Sequence, residues 1–121
     1  MFDFEKLEVY KRAKEFNSEI SVLLFGNKVD RIAKDQLKRA SLSIALNIAE
    51  GSSRFSKPDR KNFLVIARGS LFECVAILDI LREQQTIDVT EYQKFYAKGN
   101  ELSRMIFAMI RHLQLSNAHI A

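Results

Sequence analysis

The chain has 121 residues, 47% of them hydrophobic and 28% charged, with four Gly and one Pro. A single domain of this length, residues 1–121, buries about two thirds of its unfolded surface, so a core can form without disulfides or metal, and the composition excludes a disordered chain. The net charge of +4 and pI near 9.3 are too mild for a dedicated nucleic-acid arm, so the position of the charge matters more than its total.

Apolar spacing predicts four helices, over about residues 4–25, 30–50, 57–85 and 89–115. In helix one, Val9, Ala13, Phe16, Ile20 and Leu23 recur at helical spacing, with Lys6, Lys11, Lys14, Glu15 and Glu19 on the remaining surface. Asp3 is read as its N-cap, Glu5 sits in its first turn, and Gly26-Asn27 supplies the stop. Helix two starts near the cap candidate Asp30 and carries Leu37, Ala40, Ile44 and Ile48 on one face, flanked by Leu42, Ala45 and Ala49. Gly51 is read as its terminator.

Ser52 to Lys57 forms a polar connection. Ser56 and Asp59 then have capping-box spacing, with Pro58 in the first turn of helix three. Helix three is apolar almost all round, through Phe63, Leu64, Val65, Ile66, Leu71, Phe72, Val75, Ile77, Leu78, Ile80 and Leu81. A four-helix core has no place for so many, so a subunit interface is expected; the alternative is the central helix of a monomer. Asp88 and Glu91 open helix four, whose core face is Tyr92, Phe95, Gly99, Leu102, Ile106, Met109 and Leu113. The tail from Ser116 to Ala121 is expected to fray. With short links and no strand alternation, the fold class is all-α, an up-down antiparallel four-helix bundle.

Two polar lines interrupt the apolar faces. Gln36, Arg39, Ser43, Asn47 and Glu50 run along helix two, and Asn62, Ser70 and Glu73 run along helix three. A hairpin turning near Arg54 places Asn47 opposite Asn62 and Arg39 opposite Ser70, one turn from Glu73. A partly buried Arg39–Glu73 pair with satisfied Asn and Ser neighbours is the expectation; a stripe facing water is the alternative.

Enzyme chemistry is not expected. Neither His112 nor His119 completes a Glu-x-x-His pair, and Gly26-Asn27-Lys28 lacks a phosphate-loop frame. Cys74 falls on the core spacing of Leu71 and Leu78 and reads as inert packing. As the only cysteine it forms no intrachain disulfide, and no cofactor or metal is implied. With no secretory signal pattern at Met1–Lys6 and no membrane-length apolar run, a cytoplasmic location without membrane contact is expected.

The functional candidate is the basic stretch around Arg54. From Arg54 to Arg68, Arg54, Lys57, Arg60, Lys61 and Arg68 face Asp59 alone, a surplus equal to the net charge of the whole chain. At the helix two–three turn, Arg54, Lys57, Arg60 and Lys61 are placed to contact phosphates of RNA or DNA. Phe55 either stacks on a base or anchors the loop, and a solvated charge cluster is the alternative for the whole group.

Several blocks carry a family resemblance: Leu7-Glu8-Val9-Tyr10-Lys11, Gln36-Leu37-Lys38-Arg39-Ala40, Ser43-Ile44, Asn47-Ile48-Ala49-Glu50-Gly51 and Ala67-Arg68-Gly69-Ser70-Leu71-Phe72-Glu73. From Phe4 to about Leu81 the chain resembles the four-helix bundle family of 23S rRNA intervening-sequence proteins. The departure is Val29-Asp30, where the family tends to have Pro and an acidic residue. The resemblance implies a bundle that assembles as a ring-like homopentamer. It also implies kinship with proteins encoded within insertions in bacterial 23S rRNA genes, most of them of unknown function. A related branch, the accessory protein of diversity-generating retroelements, binds nucleic acid and a reverse transcriptase. Two functions follow as expectations: nucleic-acid binding through the basic turn, or a scaffold that docks a protein such as a reverse transcriptase without touching nucleic acid.

Overall fold

A 3₁₀ turn at Asp3–Lys6 is followed by four α-helices: α1 (Glu8–Leu23), α2 (Arg31–Ser52), α3 (Lys57–Glu83) and α4 (Val89–Ile120). The computed structural model describes residues 1–115 in full and 116–120 as helix backbone, and among the described residues there is no strand. The fraying expected from Ser116 to Ala121 falls outside the fully described residues, as does His119. Consecutive helices pack side by side and α4 closes on α1, giving the expected up-down four-helix bundle.

The core follows the apolar spacing. Val9, Ala13, Phe16 and Ile20 of α1 share one buried cluster with Leu37, Ala40, Ile44 and Ile48 of α2 and Leu64, Ala67, Leu71, Cys74, Leu78 and Leu81 of α3. Phe95, Leu102 and Ile106 complete it from α4, with Phe16 and Phe95 meeting edge to face at 6.0 Å. Leu24, Val29 and Ile87 pin the links between helices. Each such aliphatic side chain contributes about 1.5–3 kcal/mol, so this cluster rather than surface charge holds the fold.

Helix ends follow local chemistry. Asp30 accepts from the Ala33 N–H at 3.0 Å and Ser56 from the Asp59 N–H at 3.2 Å. Asp88 and Glu91 cap each other's backbone N–H groups at 2.7 and 3.4 Å, a reciprocal capping box. Gly26 takes φ +94° after α1. Asp3 is not the cap of α1: the chain forms a separate 3₁₀ turn, and Leu7 precedes α1 without a side-chain cap.

Gly51 does not end α2 either. The helix runs through it to Ser52, and Gly51 is buried where a Cβ would lie 3.0 Å from Phe63 Cβ and 3.4 Å from the Arg60 carbonyl. Its missing side chain lets α2 and α3 approach closely. Hydroxyls finish the helix instead, Ser52 donating to the Ala49 carbonyl and Ser53 to the Glu50 carbonyl, both at 2.7 Å.

Candidate functional site

The α2–α3 turn is built by its own cations. Arg54 Nη2 donates to Glu50 Oε1 at 2.6 Å, and its guanidinium lies 4.7 Å from the Phe63 ring centre. Arg60 Nε donates to the Arg54 carbonyl at 2.7 Å, closing the loop from the α3 side. Arg54 is therefore half-buried and charge-paired, whereas Arg60 remains exposed and Lys61 half-buried. Lys57 is half-buried and already engaged. Phe55 is 102% exposed, as open as a free side chain, so it anchors nothing within this chain.

The turn thus offers an unpacked aromatic ring with cations nearby in the chain, Arg54 acting first as a turn builder. Beneath it lies an apolar cleft of about 460 Å³ that brings Arg60 and His112 to the edge of Leu7, Leu64, Met109 and Leu113. Among the described residues, no three of His, Cys, Asp and Glu converge to hold a metal. No helix among the described residues is long and apolar enough to cross a membrane.

The polar stripe is only partly brought together. Ser43 and Ser70 share a hydroxyl–hydroxyl hydrogen bond of 2.9 Å, and Asn47 Nδ2 donates to the Ser43 carbonyl at 2.8 Å and its hydroxyl at 2.9 Å. Gln36, Arg39, Glu50, Asn62 and Glu73 are exposed, and the Arg39–Glu73 pair is not formed. The pair is absent because both side chains are exposed to water, not because they lie at different levels. Ser43, not Arg39, stands opposite Ser70, a shift of one helical turn. The link of residues 53–56 is centred near Arg54 as expected, so the slip is an axial offset between the helices; it keeps the same faces in contact, changes every partner and brings Arg39 level with Glu73.

Two polar features lack a sequence counterpart in the stripe. Ser41 is fully buried and donates to Asn17 Oδ1 at 2.8 Å, tying α2 to α1. Arg68 lies 4.4 Å from the Phe72 ring centre and 5.9 Å from that of Phe107. The four-residue spacing of Arg68 and Phe72 was the available signal for the second. Cys74 is fully buried, and desolvation, assisted by the neighbouring Glu73 carboxylate, pushes its thiol up to about 12.

The model for the 23S rRNA-intervening sequence protein family matches residues 5–108 of the chain. A crystal structure of a protein with unknown function from the S23 ribosomal protein family of Bacteroides thetaiotaomicron VPI-5482 shares the fold. Its TM-score is 0.79 at 24% identity, over 84% of this chain and 97% of that one. No curated protein matches the chain.

Proposed function

We propose a non-enzymatic, nucleic-acid-binding role for this chain, which belongs to the 23S rRNA-intervening sequence protein family. The observation that carries the reading is Phe55, fully exposed at the tip of the α2–α3 turn among Arg54, Lys57, Arg60 and Lys61. An exposed aromatic beside cations suits sequence-tolerant contact, the ring stacking on a base while Arg60 and Lys61 meet phosphates. Assembly as a homo-oligomer, in the pentameric form that the family resemblance implies, would repeat the turn and multiply weak contacts.

Binding to RNA and DNA titrated across salt tests this. Each cation withdrawn from a phosphate should lower the slope of log K against log salt by about 0.7 for single strands and about 0.9 for duplex. Neutralising Lys57, Arg60 and Lys61 is expected to flatten the slope, and Phe55→Ala to weaken binding without changing it. Arg54→Gln belongs in a separate variant, because it also releases Glu50 and Phe63. No binding at any salt, or an unchanged slope in the triple variant, sinks the proposal. It would then favour the scaffold that docks a protein such as a reverse transcriptase, a reading supported by the apolar surface left open on α2 and α3.

A further inference from the structure

Along the α3–α4 flank, cations and rings alternate. The Arg82 guanidinium lies 5.1 Å from the Tyr92 ring centre, and Tyr92 lies 5.9 Å from Tyr96. Farther along α3, Arg68 sits over Phe72 and reaches Phe107. Between these clusters opens a groove of about 360 Å³, walled by Phe72 and Tyr96 and floored by Leu71, Val75 and Gly99. Gly99 sets the depth of the floor, since a Cβ there would meet Val75 Cγ2 at 3.2 Å.

Three features set this groove apart from an ordinary crease between helices. Its rings are open, Phe72 being 51% and Tyr96 52% exposed. Its edge is polar: the side chains of Asn100 and Ser103 make no hydrogen bond among the described residues, and Asp79 uses one oxygen on Arg82 at 2.7 Å. Just outside the lining, stacked 4.4 Å from the Phe72 ring centre, stands Arg68, which has no carboxylate partner among the described residues and whose Nε is buried without a hydrogen bond. A purely aliphatic occupant would use the rings and leave the polar edge and Arg68 unmet. A planar heterocycle with donors and acceptors on its rim and a phosphate attached meets all three.

We propose that this slot takes an unpaired base of a single-stranded nucleic acid, stacked against Phe72 and Tyr96, with Arg68 receiving the adjacent phosphate. The proposal rests on the nucleic-acid reading of the α2–α3 turn and adds a second contact point on a different helix pair. Asn100 and Ser103 supply both donor and acceptor, and Asp79 an acceptor, so the rim accommodates more than one base. The slot is therefore sequence-tolerant, as stacking platforms are.

The test uses the full chain, a nucleoside monophosphate and a labelled single-stranded 12-mer. In amide-correlation NMR spectra, the monophosphate is expected to shift the Gly99 backbone and Asn100 side-chain resonances. Tyr96→Ala should weaken 12-mer binding about tenfold with the salt slope unchanged, and Arg68→Gln should lower that slope by about 0.7. Tyr96 and Asn100 are exposed, so Asn100→Ala serves as a second variant that leaves the fold intact. Silent Gly99 and Asn100 resonances together with unaltered 12-mer binding by Tyr96→Ala overturn the slot even if the turn variants behave as expected. Slot signals that persist while the turn variants do nothing support the slot and sink the turn. Equal affinity for monophosphate and 12-mer overturns the strand as occupant in favour of a free nucleotide. A change in sedimentation of Tyr96→Ala without loss of nucleotide signals overturns it in favour of a protein contact.

Discussion

Gly51 and Gly69 both lie inside helices, yet their surroundings give opposite expectations. A Cβ at Gly51 would meet Phe63 Cβ at 3.0 Å, an atom fixed to backbone and unable to swing away, whereas a Cβ at Gly69 meets nothing within 4 Å. Gly51→Ala must push α2 and α3 apart and is expected to cost about 1–3 kcal/mol. Gly69→Ala only removes backbone freedom from the unfolded chain and is expected to add about 0.5–1 kcal/mol. Urea unfolding at concentrations too dilute for assembly compares them, and destabilisation of equal size by both would refute the assigned roles.

Cys74 links burial to pH at the same scale. Its thiol rises from 9.0 to about 12 on folding, chiefly by desolvation, with Glu73 second. The folded state thus holds the proton more tightly than the unfolded one. This contribution is fully present below about pH 9 and is lost as pH rises toward about 12. Cys74→Ala should therefore lose less stability than the parent across that alkaline window. A thiol reagent at neutral pH should label the parent only at the rate of unfolding. Rapid labelling of the native chain would contradict the burial. By contrast Glu73 is exposed and without an Arg39 partner, so Glu73→Ala is expected to leave the melting temperature unchanged.

Element by element, the sequence was legible where a signal is local. Asp30, Ser56 and the Asp88–Glu91 box mark helix starts by short-range chemistry, and the structure uses each of them. The register of α2 against α3 was not legible in the same way. It depends on how the helices are offset along their axes, which is set by side-chain contacts such as the close approach of Gly51 to Phe63 and not by the position of the turn. Arg39 and Glu73 had the correct spacing along their helices, and the one-turn slip even brings them level, but both side chains stay exposed and unpaired. The turn cations were legible as a cluster, while the engagement of Arg54 by Glu50 and Phe63 needed three dimensions. The open groove beside Tyr96 arises from two helices distant in sequence, so neither helix alone announces it.

The end of α3 shows an element closed by geometry that its sequence opposes. The Thr86 N–H bonds the Leu81 carbonyl and the Gln85 N–H bonds the Arg82 carbonyl, both at 2.9 Å, while Gln85 takes φ +62°. This is the Schellman arrangement, with glutamine where glycine is usual. The left-handed conformation costs a side-chain-bearing residue about 1 kcal/mol. Gln85→Gly is accordingly expected to stabilise the chain by up to about 1 kcal/mol, less the added freedom of the unfolded state. A measurable loss of stability would mean that the Gln85 side chain contributes more than its strain removes.

At the scale of the whole molecule, the two flanks of α3 differ in what they leave open. Toward α4 the exposed rings are interleaved with Arg68 and polar edges. Toward α2 the outward surface is aliphatic: Leu42, Leu46, Ile66 and Ile80 are about half exposed, and Gly69 leaves a gap among the α3 residues. The α1–α4 seam is different again, closed by charge through Arg12 to Glu101 at 2.6 Å and Lys98 to Glu19. Open aliphatic side chains beside a bare glycine invite close helix contact, and a second copy of the chain is the occupant that the homo-oligomer reading requires. Because the four aliphatic side chains already face water, charging them need not disturb the bundle. Leu46→Asp and Ile66→Asp should therefore keep full helicity by circular dichroism while shifting sedimentation from a multimer to a single chain. A parent that sediments as one chain at every concentration, or variants that unfold without passing through a folded monomer, would each count against assembly through this face.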